Sequence, residues 1–392
     1  MGAKQLMKIL FFGWFIKNRN GDGIVRAFES LGNVVYKVAM DTQLTNELSP
    51  HDLHIRSYYG DEIYWSMVRR EQRVNCLQIL KEKCPEADCV YIYQTSVSMN
   101  TQNIPIPVIY YHHEVLLPCI PDGRIDMIFY NYHGCKEQLM KIYHDRLWQI
   151  PFIQSTFGME LDRYTYSDKK RNIFMGFKGA FAAYNADNDM AMEGIYINRN
   201  RFLKFARNNC ECHIEGYITN PNEMDELIYF LKQCSIAINI SGCIGDWGFC
   251  NERMFVAMAV GCVLLHHRFP KIESLGLIDF ENCLLFSDEF ELYEKYEWAK
   301  SHPNELEGIR IKGHELVIHN FDHIKTVKIQ LESINAICDG AKLPQCRFKS
   351  PIHKLSKGRQ SKIERIQREW YEWFQRNKKN PELNEPEPIM EK

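Results

Sequence analysis

The chain has 392 residues, which is enough for two domains of roughly 150–200 residues each. Hydrophobic residues make up 45% of the sequence and charged residues 25%, which is the composition of a globular protein. The formal net charge of −2 excludes a protein that binds polyanions through its bulk charge.

The 14 cysteines are scattered and form no C-x-x-C pair, which argues against a disulfide scaffold and against a zinc site. We expect reduced, mostly buried thiols in a cytoplasmic protein. The first apolar run is short for a secretory signal, and polar residues follow it instead of a cleavage site. No window approaches the roughly 18 apolar residues of a membrane span.

The first half of the chain has the pattern of an α/β domain with a largely parallel sheet. Residues 7–13 predict a strand that is apolar on both faces, followed by a polar loop over 17–23, a helix over 24–31 and a strand over 33–38. A helical pattern covers 61–83, and short strands are predicted at 88–93, 108–111, 127–131 and 147–153. We assign this domain to residues 1–165, with turn-rich residues 156–171 as the linker.

A second α/β pattern covers residues 166–338. Its predicted strands are 172–177, 212–217, 235–240, 262–265 and 283–286. Its predicted helices are 199–208, 222–233, 252–260, 288–301, 305–319 and 323–336.

The tail, residues 339–392, differs in composition. It begins with a basic, proline-punctuated stretch, continues with an amphipathic helix predicted over 361–376, and ends in a Pro/Glu-rich segment that we expect to be disordered. The apolar stripe from Ile363 to Trp373 suits packing against the N-terminal domain. Alternatively, the basic stretch contacts DNA or a membrane surface.

Residues 234–267 carry the clearest functional pattern, which is strand, glycine-rich loop, helix, glycine and strand. Gly242, Gly245 and Gly248 allow the backbone to approach a ligand closely. Asn251 is placed to cap the helix, and Arg253 lies in its first turn. Loops of this kind, at a helix N-terminus, bind phosphate groups in α/β sheets. The alternative is a tight connection with Arg253 in a surface ion pair.

The helix in this stretch resembles the donor-site helix of spore-maturation-type glycosyltransferases, which are relatives of the group 1 glycosyltransferases. The shared pattern N-x-R-x-F-x-A-x-A-x-G is present as Asn251, Arg253, Phe255, Ala257, Ala259 and Gly261. The segments NIFMGF, LLFSDEFELYEKYEW and GHELVIHNFDHIKTV resemble other family segments in the same order. The resemblance implies a GT-B fold, with two doubly wound Rossmann-like domains facing across a cleft and a C-terminal helical tail.

The resemblance also implies a metal-independent enzyme that takes its sugar from a nucleotide-diphosphate donor, UDP- or GDP-linked. The expected donor-binding residues are Gly242, Gly245, Asp246, Trp247, Asn251, Glu252, Arg253, Arg199 and Arg201. The sequence departs from the family at Val256, where most relatives have a glutamate that binds the ribose. Glu252, one turn earlier on the same helix face, is the substitute that we weigh.

Acceptor-side candidates lie at strand ends in the first half. His113 and Glu114 follow one predicted strand and His133 follows another, and such groups can serve as a general base. Asn18 and Asp22 belong to the first loop, which we expect to line the cleft. The alternative for the histidines is a structural role. The acceptor classes are a surface glycan, a lipid-linked sugar, a protein or a modified DNA base.

Two other functions stay open at this stage. One is a non-catalytic nucleotide-sugar or glycan-binding protein, in which Val256 marks the loss of turnover. The other is a sugar-nucleotide epimerase, which converts its donor without an acceptor.

Overall fold

The computed structural model describes residues 6–13, 15, 20–40, 53–60, 62, 67, 72–93, 97–112, 120–155, 158–167, 170–179, 199–216, 223–240 and 250–340. The described residues up to 161 and from 319 onward form one compact unit, and residues 162–318 form a second. Each unit is built on its own parallel sheet. The predicted α/β class with two Rossmann-like domains is confirmed.

Strands are numbered in chain order. They are β1 (Lys8–Gly13), β2 (Val34–Ala39), β3 (Leu53–His54), β4 (Val74–Asn75), β5 (Cys89–Tyr93), β6 (Met99–Thr101), β7 (Val108–His112), β8 (Asp122–Gly123), β9 (Met127–Tyr130), β10 (Phe152–Gln154), β11 (Ile173–Gly179), β12 (Cys212–Gly216), β13 (Cys234–Asn239), β14 (Val263–His267) and β15 (Leu284–Phe286).

Ten α-helices lie in the described part of the chain. They are α1 (Asn20–Ser30), α2 (Ile55–Tyr59), α3 (Cys76–Lys83), α4 (His133–Leu147), α5 (Arg199–Asn209), α6 (Glu223–Leu231), α7 (Glu252–Ala259), α8 (Glu289–Ser301), α9 (Pro303–Asn320) and α10 (His323–Cys338).

The first unit has a seven-stranded parallel sheet in the order β10-β9-β7-β5-β1-β2-β3, and a small sheet of β4, β6 and β8. The chain moves outward from β1 through β2 to β3, then returns to the other side of β1 and continues outward from β5. The strand order therefore reverses between β1 and β5, and this position is the topological switch point of a Rossmann-type sheet.

Helix α10 packs on the first unit although it follows the second unit in the chain. Val327, Leu331 and Ile334 belong to the same buried cluster as the residues of β1. The hydroxyl of Tyr91 donates a hydrogen bond to Oε1 of Gln330 at 3.0 Å. The sequence-based domain boundary at 338 grouped this helix with the second domain, whereas its apolar face is buried against the first sheet.

The second unit has a five-stranded parallel sheet in the order β12-β11-β13-β14-β15. Strands β13, β14 and β15 are almost entirely buried, as expected when helices cover both faces of a sheet. Phe177 lies in a cluster with Phe202 of α5, while the neighbouring Gly176 faces Phe230 of α6. In this sheet the order reverses between β11 and β13.

Three predicted elements differ from the structure. Helix α1 begins at Asn20, so Asp22 lies in a helix and not in a loop. The pattern over 61–83 breaks at β4, and Asn75 then caps α3. The strand predicted from 147 begins only at Phe152, because helix α4, which the sequence reading missed, continues to Leu147.

All cysteines in the described part of the chain are free thiols, and all but Cys338 are buried. This agrees with the expected reduced, buried cysteines. Among the described helices, none combines the length and the apolar character that a bilayer span requires.

Candidate functional site

The carboxyl edge of the second sheet, at the reversal between β11 and β13, is the candidate site. Strand β11 pairs in parallel with β12 on one side and with β13 on the other. In open parallel sheets, ligands bind beyond the carboxyl ends of the strands at such a switch point. Gly179 ends β11 there, Asn239 ends β13, and α7 begins close by.

Arg253, in the first turn of α7, reaches across this edge to the end of β11. Its guanidinium lies over the ring of Phe177, with 5.4 Å between Cζ and the ring centroid, which is within cation–π range. A Cβ atom on Gly179 would lie 2.5 Å from Nη1 of Arg253. The glycine at the end of β11 is therefore what lets the guanidinium occupy the switch point.

The side chain of the N-cap residue of α7 bonds to the end of β13. Asn251 occupies the N-cap position in an extended conformation, yet its side chain makes no capping hydrogen bond. Its Oδ1 instead accepts a hydrogen bond from Nδ2 of Asn239 at 3.2 Å. The positive end of the helix dipole and the Arg253 guanidinium therefore lie together at the switch point, and this combination favours anions.

The remainder of α7 is fixed in the core. Its residues from Met254 to Ala259 are buried, and Val256 has an exposed fraction of 0%. Arg171 ties the other end of the helix, because its Nη2 donates to the carbonyl of Val260 at 3.3 Å and its Nη1 to that of Cys234 at 2.6 Å. A helix held at its C-terminal end presents its N-terminus in a fixed position.

Two histidines end β14 at the same edge. Burial, with the nearby charges of His267 and Arg253, lowers the pKa of His266 to about 3. Burial lowers the pKa of His267 to about 4, and its Nε2 donates to the carbonyl of Ser287 at 3.1 Å. Both rings are neutral at pH 7, and Arg253 contributes a positive charge close to His266 at this end of the sheet.

The other two predicted donor-site arginines are on α5. Arg201 forms a two-point ion pair with Glu289 of α8, at 2.5 Å from Nε and 3.0 Å from Nη2. Its charge is thus balanced by a carboxylate. Arg199 begins the helix, and its side chain lies outside the described part of the chain.

In the first unit, the structure places His133 at the start of α4, just beyond the carboxyl end of β9. The ring is exposed and meets the ring of Tyr130 edge-on, with centroids 5.9 Å apart. His112, which ends the neighbouring strand β7, is fully buried, and burial lowers its pKa to about 3. Of the two described histidines at this edge, His133 is therefore accessible and His112 is a structural residue.

Asp22 does not stand free in a cleft-lining loop as predicted. It pairs with Arg26 one turn later on α1, and Nε of Arg26 also donates to Glu160 at 2.6 Å. Helix formation from Asn20 turns this carboxylate toward an internal ion pair.

The remaining predicted site residues lie outside the described residues. They are Asn18, His113, Glu114, Gly242, Gly245, Asp246 and Trp247. Within the described ranges, no three His, Cys, Asp or Glu side chains come close enough together to hold a metal ion.

Sequence reasoning missed Phe177, Gly179 and Asn239. Each lies on a strand whose largely apolar sequence predicts a core element, so nothing in the local sequence indicates a functional role. The available signal was positional, because Gly179 and Asn239 end the two strands that flank the reversal in strand order.

Comparisons with known proteins define the class. Residues 199–328 match a family model described as glycosyl transferase-like. This segment contains α7 and Arg253. No curated protein matches the chain.

Solved structures share the fold over most of the chain. Sucrose-phosphate synthase from Thermosynechococcus elongatus is 10% identical, with a TM-score of 0.57, covering 86% of this chain and 100% of its own. Anabaena HepE, solved with UDP and glucose, is 10% identical, with a TM-score of 0.53, covering 84% and 100%. An alpha-glucosyltransferase solved with UDP-glucose and DNA is 12% identical, with a TM-score of 0.52, covering 84% and 100%. The chain has the GT-B glycosyltransferase fold, and the predicted glycosyltransferase class is confirmed.

Proposed function

We propose that this chain transfers a sugar from a nucleotide-diphosphate sugar to a hydroxyl acceptor, and that the donor diphosphate binds at the carboxyl edge of the second sheet. The observation that carries the proposal is the position of Arg253. Its guanidinium lies at the strand-order reversal, beside Gly179 and at the N-terminus of α7.

The chemistry needs a positive site there. Negative charge grows on the diphosphate as the bond between sugar and phosphate breaks, and the diphosphate is the leaving group. Arg253 donates to phosphate oxygens, and the helix N-terminus adds partial positive charge, so both stabilise the leaving group in the transition state. We propose that these groups suffice without a metal ion.

We propose a UDP- or GDP-linked donor with an altered ribose contact. Val256 is completely buried and its side chain has no hydrogen-bonding atom, so it cannot take the role of the glutamate that most relatives of the resembled spore-maturation-type family carry there. Glu252 begins α7, is partly exposed and lies beside Arg253. We assign the ribose hydroxyls to its carboxylate.

We assign the acceptor to the first unit. His133 is an exposed imidazole at a strand end, and His113 and Glu114 remain sequence predictions for the same task of general base. The acceptor classes are a surface glycan, a lipid-linked sugar, a protein and a modified DNA base. The alpha-glucosyltransferase solved with DNA supports keeping the last of these. Contact of the basic tail with DNA or a membrane, and a cytoplasmic location, belong to the same proposal.

The test compares donor binding by two arginine variants, one at the proposed site and one away from it. We expect Arg253→Ala to weaken UDP or GDP binding about 100-fold in calorimetric titration, since charge-assisted hydrogen bonds to phosphate are lost. Arg207 is exposed on α5 in the same unit and provides the matched control, so Arg207→Ala should bind like wild type. Equal affinities for all three proteins would contradict the proposed site.

A non-catalytic binding protein is the second candidate, and the buried Val256 favours it. A sugar-nucleotide epimerase is the third class left open by the sequence. Product analysis with UDP- and GDP-sugars separates them. Release of the nucleoside diphosphate supports a transferase, tight binding without turnover supports a binding protein, and conversion of the donor sugar without release supports an epimerase.

A further inference from the structure

A pocket of about 460 Å³ lies at the flank of the second sheet, where β12 stands at one end of the strand order. Lys178 of β11 and Glu215 of β12 line this α6 pocket from the sheet. Helix α6 and the turn after it line the pocket with residues between Asp225 and Gln233. The volume is that of a small-molecule site, which is roughly 300–1,000 Å³, and none of the described lining residues was assigned to the donor.

The aromatic part of the lining consists of Tyr229 and Phe230. Tyr229 has an exposed fraction of 71%, which is the highest of the large hydrophobic and aromatic side chains in the described part of the chain. Phe230 is buried, and its ring stacks on the ring of His213 with 5.9 Å between the centroids. The ring of Tyr229 therefore stands open to solvent at the wall of the pocket, where it offers an apolar surface to a ligand.

The charged part of the lining is paired within the protein. Nζ of Lys178 donates to Oε2 of Glu215 at 2.8 Å and lies 4.0 Å from Oε2 of Glu226. Nη2 of Arg163 donates to Oδ1 of Asp225 at 2.8 Å. Each of the three carboxylates at the pocket thus has a cation beside it. A cationic ligand would have to compete with these cations, whereas a carboxylate has about four lone-pair sites and can still accept from hydroxyl groups.

A neutral sugar chain matches both parts of the lining. A pyranose ring has an apolar face of C–H groups, which packs on an aromatic ring. Its rim carries hydroxyl groups, which donate to carboxylates and accept from ammonium and amide groups. The exposed ring of Tyr229 and the polar groups around it supply these two kinds of contact in one pocket.

We propose that the α6 pocket is a second saccharide-binding site, in which one ring of a neutral glycan packs on Tyr229 and its hydroxyl groups bond to Glu215 and Glu226. This inference goes beyond the proposed function, because it requires neither the nucleotide nor Arg253. A glycan held in the α6 pocket is bound to the same unit as the donor, and attachment at a second point raises the local concentration of a long acceptor.

Saturation-transfer NMR without nucleotide tests the α6 pocket, with maltopentaose, cellopentaose and chitopentaose as neutral probes. We expect at least one of these pentasaccharides to bind the wild-type chain. Tyr229→Ala should weaken that binding about tenfold, because the aromatic surface is lost. Tyr229→Phe keeps the ring and should bind like wild type. Since the side chain is exposed, both variants should keep the wild-type Tm.

Tyr293 provides the matched control. It is 41% exposed and belongs to α8, which packs on β15 at the other end of the strand order. Tyr293→Ala should leave saccharide binding unchanged. The deacetylated, cationic form of chitopentaose tests the charge of the ligand, and binding of this form alone would overturn the neutral class.

Two further results overturn the inference. One is the absence of binding by all three neutral pentasaccharides, and the other is binding that Tyr229→Ala leaves unchanged or that Tyr293→Ala weakens equally. Titration with UDP and GDP keeps the inference distinct from the proposed function, since Tyr229→Ala should bind both nucleotides like wild type. A chain that binds the saccharide but neither nucleotide overturns the proposed function alone. A chain that binds a nucleotide but no saccharide overturns the second site alone.

Discussion

In both units the strand beside the reversal in strand order ends in a glycine, but different side chains surround that glycine in the two units. Strand β1 and strand β11 each lie beside a reversal in strand order, and each ends in a glycine, Gly13 and Gly179. Around Gly13 the space is taken by the ring of Phe11 and the Cβ of Tyr93. Around Gly179 it is taken by the guanidinium of Arg253.

The comparison indicates that the topology of the sheet sets where a ligand can bind, and that the side chains at that position decide which ligand binds. In the first unit the switch strand is locked into an aromatic stack, with Phe11 and Tyr91 rings 4.8 Å apart. In the second unit the Arg253 guanidinium and the N-terminus of α7 occupy the corresponding place. The second unit is therefore the one that we expect to bind the anionic donor.

The largest expected effect is a loss of folding stability at low pH. It tests a feature that the carboxyl edges of both sheets share, a buried histidine. His112 in the first unit and His266 in the second both have a pKa lowered to about 3, mainly by burial. An unfolded histidine has a pKa of about 6.5, so the unfolded chain takes up protons first as the pH falls. Stability that is present above pH 6.5 is therefore lost toward pH 3, by roughly 2 kcal/mol per histidine between pH 7 and 5.

Urea denaturation at pH 7 and pH 5 should show this loss in wild type. His112→Asn and His266→Asn should each reduce it by roughly 2 kcal/mol. A loss that neither variant reduces would mean that these rings are protonated in the folded protein.

Substituting alanine for Gly179 or for Gly13 distinguishes the roles of the two units most clearly. In Gly179→Ala, the new Cβ meets the flexible end of Arg253, so we expect a nearly unchanged Tm and about tenfold weaker UDP binding. In Gly13→Ala, the Cβ lies 2.7 Å from a buried ring carbon of Phe11, so overpacking should cost about 1–3 kcal/mol with UDP affinity unchanged. The reverse pattern would place the donor in the first unit.

Ribose recognition gives the smallest effect. Glu252→Ala should weaken UDP binding about fivefold, since a hydrogen bond between a carboxylate and the ribose is lost. Wild type should bind 2′-deoxy-UDP about as weakly as the variant binds UDP, and the variant should not distinguish the two ligands. A variant that still prefers UDP would show that another group binds the ribose.

The sequence predicted most strands and helices because both periodicities are strong. Apolar runs such as those of β5 and β7 are typical of parallel strands that are covered on both faces. Gly261 follows the end of α7 as expected, with φ +82°. Helix α4 escaped prediction because its apolar residues follow no clean stripe, and Tyr143 departs from helical geometry within it.

The candidate site was predictable in part. Arg253 follows from a glycine-rich loop that feeds a helix, which is a local pattern. Gly179 and Asn239 end strands and lie 74 and 14 residues before Arg253 in the chain, so only strand pairing brings them to one edge. The ion pairs of Asp22 with Arg26 and of Arg201 with Glu289 were equally invisible, because a charged side chain does not reveal its partner.

A crystal structure of the chain with UDP or GDP tests the central claim most directly. The account predicts the diphosphate at the N-terminus of α7, with phosphate oxygens within hydrogen-bond distance of the Arg253 guanidinium and near the end of β11. A diphosphate bound at the carboxyl edge of the first sheet, or one without contact to Arg253, would contradict it.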